Sequence, residues 1–178
     1  MKREYVLTFA ILVLAVAFYL KPVSSPDKDA STSISYHSMV DVYVNGRQIS
    51  HSHNLVVNGG LDFIKNCIGL GLCGAPTNFS NIAVGGNTSA LAATDTTLAN
   101  EFAGSGLARA PGAVTSIGTG NWSVSKVWTA SATAAVNTTG LFNNTAGGTL
   151  FAENYFTPVT LQANDQINVT WTIWVTSG

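Results

Sequence analysis

Residues 165–176, Asp165-Gln-Ile-Asn-Val-Thr-Trp-Thr-Ile-Trp-Val-Thr176, constrain the fold of this chain more than any other stretch. Ile167, Val169, Trp171, Ile173 and Val175 fall on one parity, and Asn168, Thr170, Thr172 and Thr176 fall on the other. Period two over this length, in β-branched and aromatic residues, describes a strand with one face in a core and one in water. Such a strand belongs to an antiparallel sheet, because parallel strands are apolar on both faces. Trp174 breaks the alternation by standing on the polar side, where it either covers a neighbouring loop or awaits a partner.

The rest of the chain repeats the theme. Ile34, Tyr36, Val40, Val42 and Val44 share a parity, and Asn45-Gly46 follows them, the preferred dipeptide of a type I′ hairpin turn. The return strand starts at Arg47 and carries His51, His53, Leu55 and Val57 on one face. Leu61, Ile64 and Ile68 recur at helical spacing, so residues 61–70 are expected to form one short helix, ended by Gly69, Gly71 and Gly74. Further strands are expected at 81–85, 107–117, 122–130, 133–142, 148–156 and 159–161. Residues 86–104 read as an Ala/Thr-rich linker with a helical turn at 97–102. Many short strands separated by Gly and Asn clusters define an all-β chain, here an antiparallel β-sandwich of jelly-roll type. At 178 residues the chain supports one domain, residues 31–178.

The N-terminus is of a different kind. Met1-Lys-Arg-Glu4 precedes a predominantly apolar run of sixteen residues, 5–20, and Lys21-Pro22 closes it. Residues 1–21 are therefore a signal peptide or an N-terminal membrane anchor, with Lys2 and Arg3 on the cytoplasmic side. The small-x-small site Ala15-Val-Ala17 lies inside the run, so both alternatives stand. Residues 22–30 form a solvated tether. An exported protein follows from either alternative, at a cell surface, a virion surface or in the extracellular medium, touching the membrane through 5–20 if they are retained.

Charge supports this placement. Only 10% of residues are charged, against about 25% in ordinary soluble domains. Beyond residue 22, five bases stand against eight acids, too few for the basic stripe of a nucleic-acid binder. Cys67 and Cys73, with five residues between them, suit a small disulfide loop in an oxidising compartment, and they lack the spacing of redox or zinc motifs. Six sequons, at Asn78, Asn87, Asn121, Asn137, Asn143 and Asn168, are candidate glycosylation sites, where composition alone would supply roughly three.

The ordered pieces from residue 53 onward resemble a family of small β-sandwich proteins found among the tail and virion-surface components of tailed phages. They stand here as His53-Asn-Leu-Val-Val-Asn-Gly-Gly-Leu61, Asn81-Ile-Ala-Val-Gly-Gly86 and Ala92-Ala-Thr-Asp-Thr-Thr-Leu98. Gly140-Leu-Phe-Asn-Asn144, Gly147-Gly-Thr-Leu-Phe-Ala-Glu153 and Asp165 to Ile173 continue the order. The resemblance implies a structural or surface-binding role and brings no catalytic residues. The chain departs from it in the N-terminal apolar segment, which favours an exported cell-surface protein or a virus that takes components from a membrane.

No catalytic constellation is legible, and the chain reads as a non-enzyme. Serines lack the Gly-x-Ser-x-Gly setting, since Gly104-Ser-Gly106 has the wrong spacing. The carboxylates Asp41, Asp62, Asp95, Glu101, Glu153 and Asp165 would have to supply any acid–base pair, and Glu153 and Asp165 read as ordinary surface or turn residues. His51 and His53 share a strand face and are the metal candidates, with His37, Asp41 or Asp62 as a third ligand. No cofactor is implied. Asp27 and Asp29 do not form a calcium loop, though scattered Asp and Asn leave room for a nonlocal structural calcium ion.

Two functions fit. The first is a structural protein of an extracellular or virion surface that assembles with itself into a filament, residues 31–45 either completing their own sheet or being donated to a neighbour. Ile34, Tyr36, Val40, Val42, Val44 and Trp174 are its interaction candidates. The second is a surface-anchored module that binds glycans or another surface protein through aromatics such as Trp174, Trp122 or Tyr155.

Overall fold

The computed structural model describes residues 34–73 and 78–177. The signal or anchor at 1–21 and the tether at 22–30 lie outside the described residues. Two antiparallel five-stranded sheets make up the domain. Strands β1 (Ile34–Val44), β2 (Arg47–His53), β6 (Ala113–Gly118), β7 (Asn121–Thr129) and β10 (Gln166–Ser177) form the first, in the order β2-β1-β10-β7-β6. Strands β3 (Leu55–Val56), β4 (Asn81–Gly85), β5 (Ala110–Pro111), β8 (Ala134–Phe142) and β9 (Leu150–Leu161) form the second, in the order β3-β9-β8-β4-β5.

β10 is the middle strand of its sheet. Its apolar parity meets Val44, Val42 and Val40 of β1 on one side and Trp128 and Val124 of β7 on the other. Ile167, Val169, Trp171 and Ile173 are buried, and they pack with Ile82, Val84, Leu141 and Phe156 of the second sheet in one shared core. The Asn45-Gly46 turn has positive φ at both residues, as a type I′ hairpin requires. Asn45 also accepts a hydrogen bond from the Gln166 amide and donates one to Asp165, which fastens the first hairpin to the start of β10. The Gln162 amide, together with the Asn45 side chain, donates to the Asp165 carboxylate and holds its pKa below the usual value.

β1 pairs along its whole length with β10 and also with β2, so within this chain it completes its own sheet. The return strand does not run on through Val57. It stops at His53, and Leu55–Val56 belong to the other sheet, paired with β9. Asn54 makes the crossing, with its side-chain oxygen accepting a bond from Ser38. The expected strands 148–156 and 159–161 are one strand, β9. The ladder steps from Val136–Val159 to Thr138–Tyr155, and this irregularity absorbs Pro158, which has no amide to donate.

Helix α1 spans Asn58–Ile64 and continues as a π-helical turn, Lys65–Gly69, so it starts earlier than Leu61 and changes winding midway. Gly60 is required by its approach to β9, because a Cβ there would stand 2.3 Å from the Phe151 carbonyl oxygen. The helical turn expected at 97–102 does not form, and residues 99–100 make a non-helical turn with Asn100 at positive φ. The segment 86–109 instead covers the second sheet with its middle, where Leu98 joins Val57, Ala83, Phe142 and Leu150 in a second, smaller core, while Phe102 and Leu107 pack into the main core. That cover explains why β4 is buried on both faces. Among the described residues, no helix is long and apolar enough to cross a membrane.

Candidate functional site

One end of the two-sheet structure stands open. Between α1 with its π turn and the ends of β1, β6, β7 and β10 lies a cleft of about 850 Å³. Its floor is aromatic: Phe151 packs against Tyr36 at 5.3 Å and against Phe79 at 4.7 Å, and Phe79 meets Phe63 of α1 edge-on at 4.7 Å. Its rim is aliphatic. Ile34 is 75% exposed, Ile68 77% and Val114 55%, and Leu61 and Val175 complete the ring. Half of the large apolar side chains exposed among the described residues therefore surround one opening, which is the signature of an interaction site.

The helical stripe explains how this arises. Leu61 and Ile68 of the apolar helical stripe are both exposed. α1 is held at its N-terminal end by Val57 and Gly60, and the π turn rotates Ile68 out of register, so only Ile64 reaches the main core. Cys67 and Cys73 are bonded, closing the chain after this turn. Few polar groups interrupt the cleft. Burial pushes the Tyr36 phenol up to about 12, against a smaller lowering from the nearby Ser38 hydroxyl. Lys65 and Asp62 pair with each other at 2.5 Å on the exposed side of the helix.

The other candidate residues are dispersed. Of the β1 set, Ile34 and Tyr36 line the cleft, Val40 and Val42 are fully buried in the core, and Val44 packs at its edge. Trp174 does not cover a loop. It stacks on His37 of β1, opposite it in register, with ring centroids 5.7 Å apart. Trp122 pairs with Ile173 on the inward face, and Tyr155 is exposed on the second sheet, so these three aromatics do not form one platform. His51 Nδ1 lies 2.6 Å from Asp41, which also accepts from Gln48. No group of three or more metal-ligating side chains is found among the described residues.

Two sequons are corrected by burial. Asn87 and Asn137 are 4% and 7% exposed, and they bond each other: the Asn87 amide donates to Asn137 Oδ1, and Asn137 Nδ2 donates to the Asn87 carbonyl. A glycan on Asn137 Nδ2 would displace that bond in a space without room for a sugar. Asn78 is exposed, while Asn121, Asn143 and Asn168 are half-buried.

Glu153 is a second correction. It is 1% exposed, on the outer face of β9 beneath the 86–109 cover. Its carboxyl lies within hydrogen-bonding reach of Asp95, and burial together with that neighbour pushes its pKa up to about 8. Glu101 and Arg109 form the other acidic contact that sequence reasoning missed. Arg109 Nε donates to Glu101 Oε1 at 2.8 Å and Nη2 to Oε2, while Nη1 donates to the Gly147 carbonyl at 2.6 Å. The guanidinium also lies 3.4 Å over the Phe142 ring, so this pair clamps the cover to the 143–148 turn. Comparison of the chain with models of known families, with curated proteins and with solved structures returned no match.

Proposed function

We propose that this chain is a non-enzymatic structural protein of an extracellular or virion surface that assembles with copies of itself. The observation that carries the reading is the apolar cleft, whose exposed rim is too extensive to leave in water. The partner is a second copy, whose apolar residues enter the cleft or meet its rim. A chain this poor in charge supports such an interface, since contacts between copies are dominated by apolar burial. The export segment, the small disulfide loop and the phage-type pattern support an exterior location. Donation of residues 31–45 is the less favoured route, because a donated β1 would have to abandon its full ladder with β10. The finer assignment to the jelly-roll type is supported by β1 lying beside β10. The hairpins β6–β7 and β8–β9, each within one sheet, depart from that pattern.

Negative-stain electron microscopy of the exported protein tests the reading. Ordered multi-subunit assemblies are expected, and discrete monomers at every concentration would overturn it. The alternative, a surface-anchored module for glycans or another surface protein, draws on the half-exposed Trp174–His37 stack. A glycan array on which Trp174→Ala changes nothing would remove the glycan form of it.

A further inference from the structure

Residues 91–96 are tied down at few points. The Ala92 amide donates to Asp95 Oδ2 at 2.9 Å, and the Asp95 amide returns a bond to the Ala92 carbonyl at 2.9 Å. The Ala93 carbonyl accepts from the Asn58 amide at 2.7 Å, which holds the first residue of α1. Under this loop stands Glu153, between Leu55 of β3 and Gly140 of β8. One carboxyl oxygen of Glu153 is buried with no partner, and within reach of the carboxyl stand the Ala92 amide and a second carboxyl, Asp95. Two carboxylates cannot share such a place while both are charged.

We propose that Glu153 and Asp95 share one proton, and that this proton is a latch fastening loop 91–96, and through Ala93 the start of α1, to the second sheet. The geometry excludes competing explanations. β3, β4 and β8 carry no titratable side chain, so no base on the neighbouring strands neutralises Glu153. Asp62 on α1 is exposed and paired with Lys65, and His53 on β2 is exposed, offering only its carbonyl, to Asn154. The Ala92 amide points its hydrogen at the carboxyl pair, which favours negative charge and disfavours a bound cation.

The pH dependence follows from linkage. With the loop closed, Glu153 holds its proton to about pH 8, whereas in the opened, solvated loop it loses it near the ordinary glutamate value of about 4.3. Opening is therefore independent of pH below that value, grows about tenfold per pH unit between the two, and levels off above about 8. Because α1 forms one wall of the cleft, the latch would couple pH to assembly, a consequence that rests on the proposed function.

Amide hydrogen exchange of the whole protein from pH 5 to 9, corrected for intrinsic rates, tests the latch. Protection at Asn58 and Asp95 should fall about tenfold per pH unit and then level off, and Glu153→Gln should flatten the profile. Asp95→Asn, at a half-exposed position, removes the neighbouring charge and leaves the burial, so its profile should level off at a lower pH than the wild type, and it guards against a misfolded first variant. A flat wild-type profile, or variants that follow the wild type, would overturn the proposal. So would restored protection at pH 8 on adding calcium, which would replace the shared proton by a shared cation. Sedimentation of the same samples separates the two claims: a latch that titrates in a protein that never associates refutes the assembly reading and leaves the latch standing.

Discussion

Single residues in this protein decide how far uncharged surface can be closed over the sheets. Arg109 has four roles at once: it pairs with both oxygens of Glu101, donates to the carbonyls of Asn144 and Gly147, and covers Phe142. Lysine keeps the charge and loses the fork that makes these contacts together. Arg109→Lys should therefore destabilise the fold by about 2 kcal/mol, the scale of charge-assisted hydrogen bonds, measured by urea unfolding. A loss below about 0.5 kcal/mol, ordinary for a surface change, would contradict the clamp. Glu153 and Arg109 were both visible as charged residues in the sequence. Their roles were hidden because each depends on the cover at 86–109, whose Ala/Thr-rich composition carries no periodicity. Asn87 and Asn137 were hidden for the same reason, since a sequon carries no record of what lies on top of it.

Elements were legible where alternation was long. β1, β10 and their shared face could be read from residue parity, because side-chain direction in a strand depends only on counting. Two things defeated that reading. Pro158 suggested a break that the β8–β9 ladder absorbs as an irregularity, and Asn54 lets the chain leave one sheet for the other without a turn signal. The helix was found by its spacing, but the π turn shifts the stripe that a regular helix would present. Gly60 tests the packing of this element on β9. Gly60→Ala brings a methyl group onto the Phe151 carbonyl and should cost about 2–3 kcal/mol, in the range of overpacked cores. Wild-type thermal stability in that variant would mean that α1 does not sit as closely on β9 as described.

At the scale of the whole molecule, two sheets close one core and leave one end open. The closed part explains stability, and the open end carries the proposed interface. Composition pointed to an exterior location and to few charged contacts, yet no residue pattern could reveal the cleft. It is assembled from β1, β6, β7, β8, β9, β10, α1 and Phe79, elements brought together only by the fold. The most direct test is sedimentation velocity of the whole protein across a concentration series, beside Ile34→Asp and Ile68→Asp. Both positions are mostly exposed, so neither change should unfold the domain. Concentration-dependent association of the wild type, lost in both variants with thermal stability unchanged, is the expected result. Association that survives both charges would place the interface elsewhere and contradict the account.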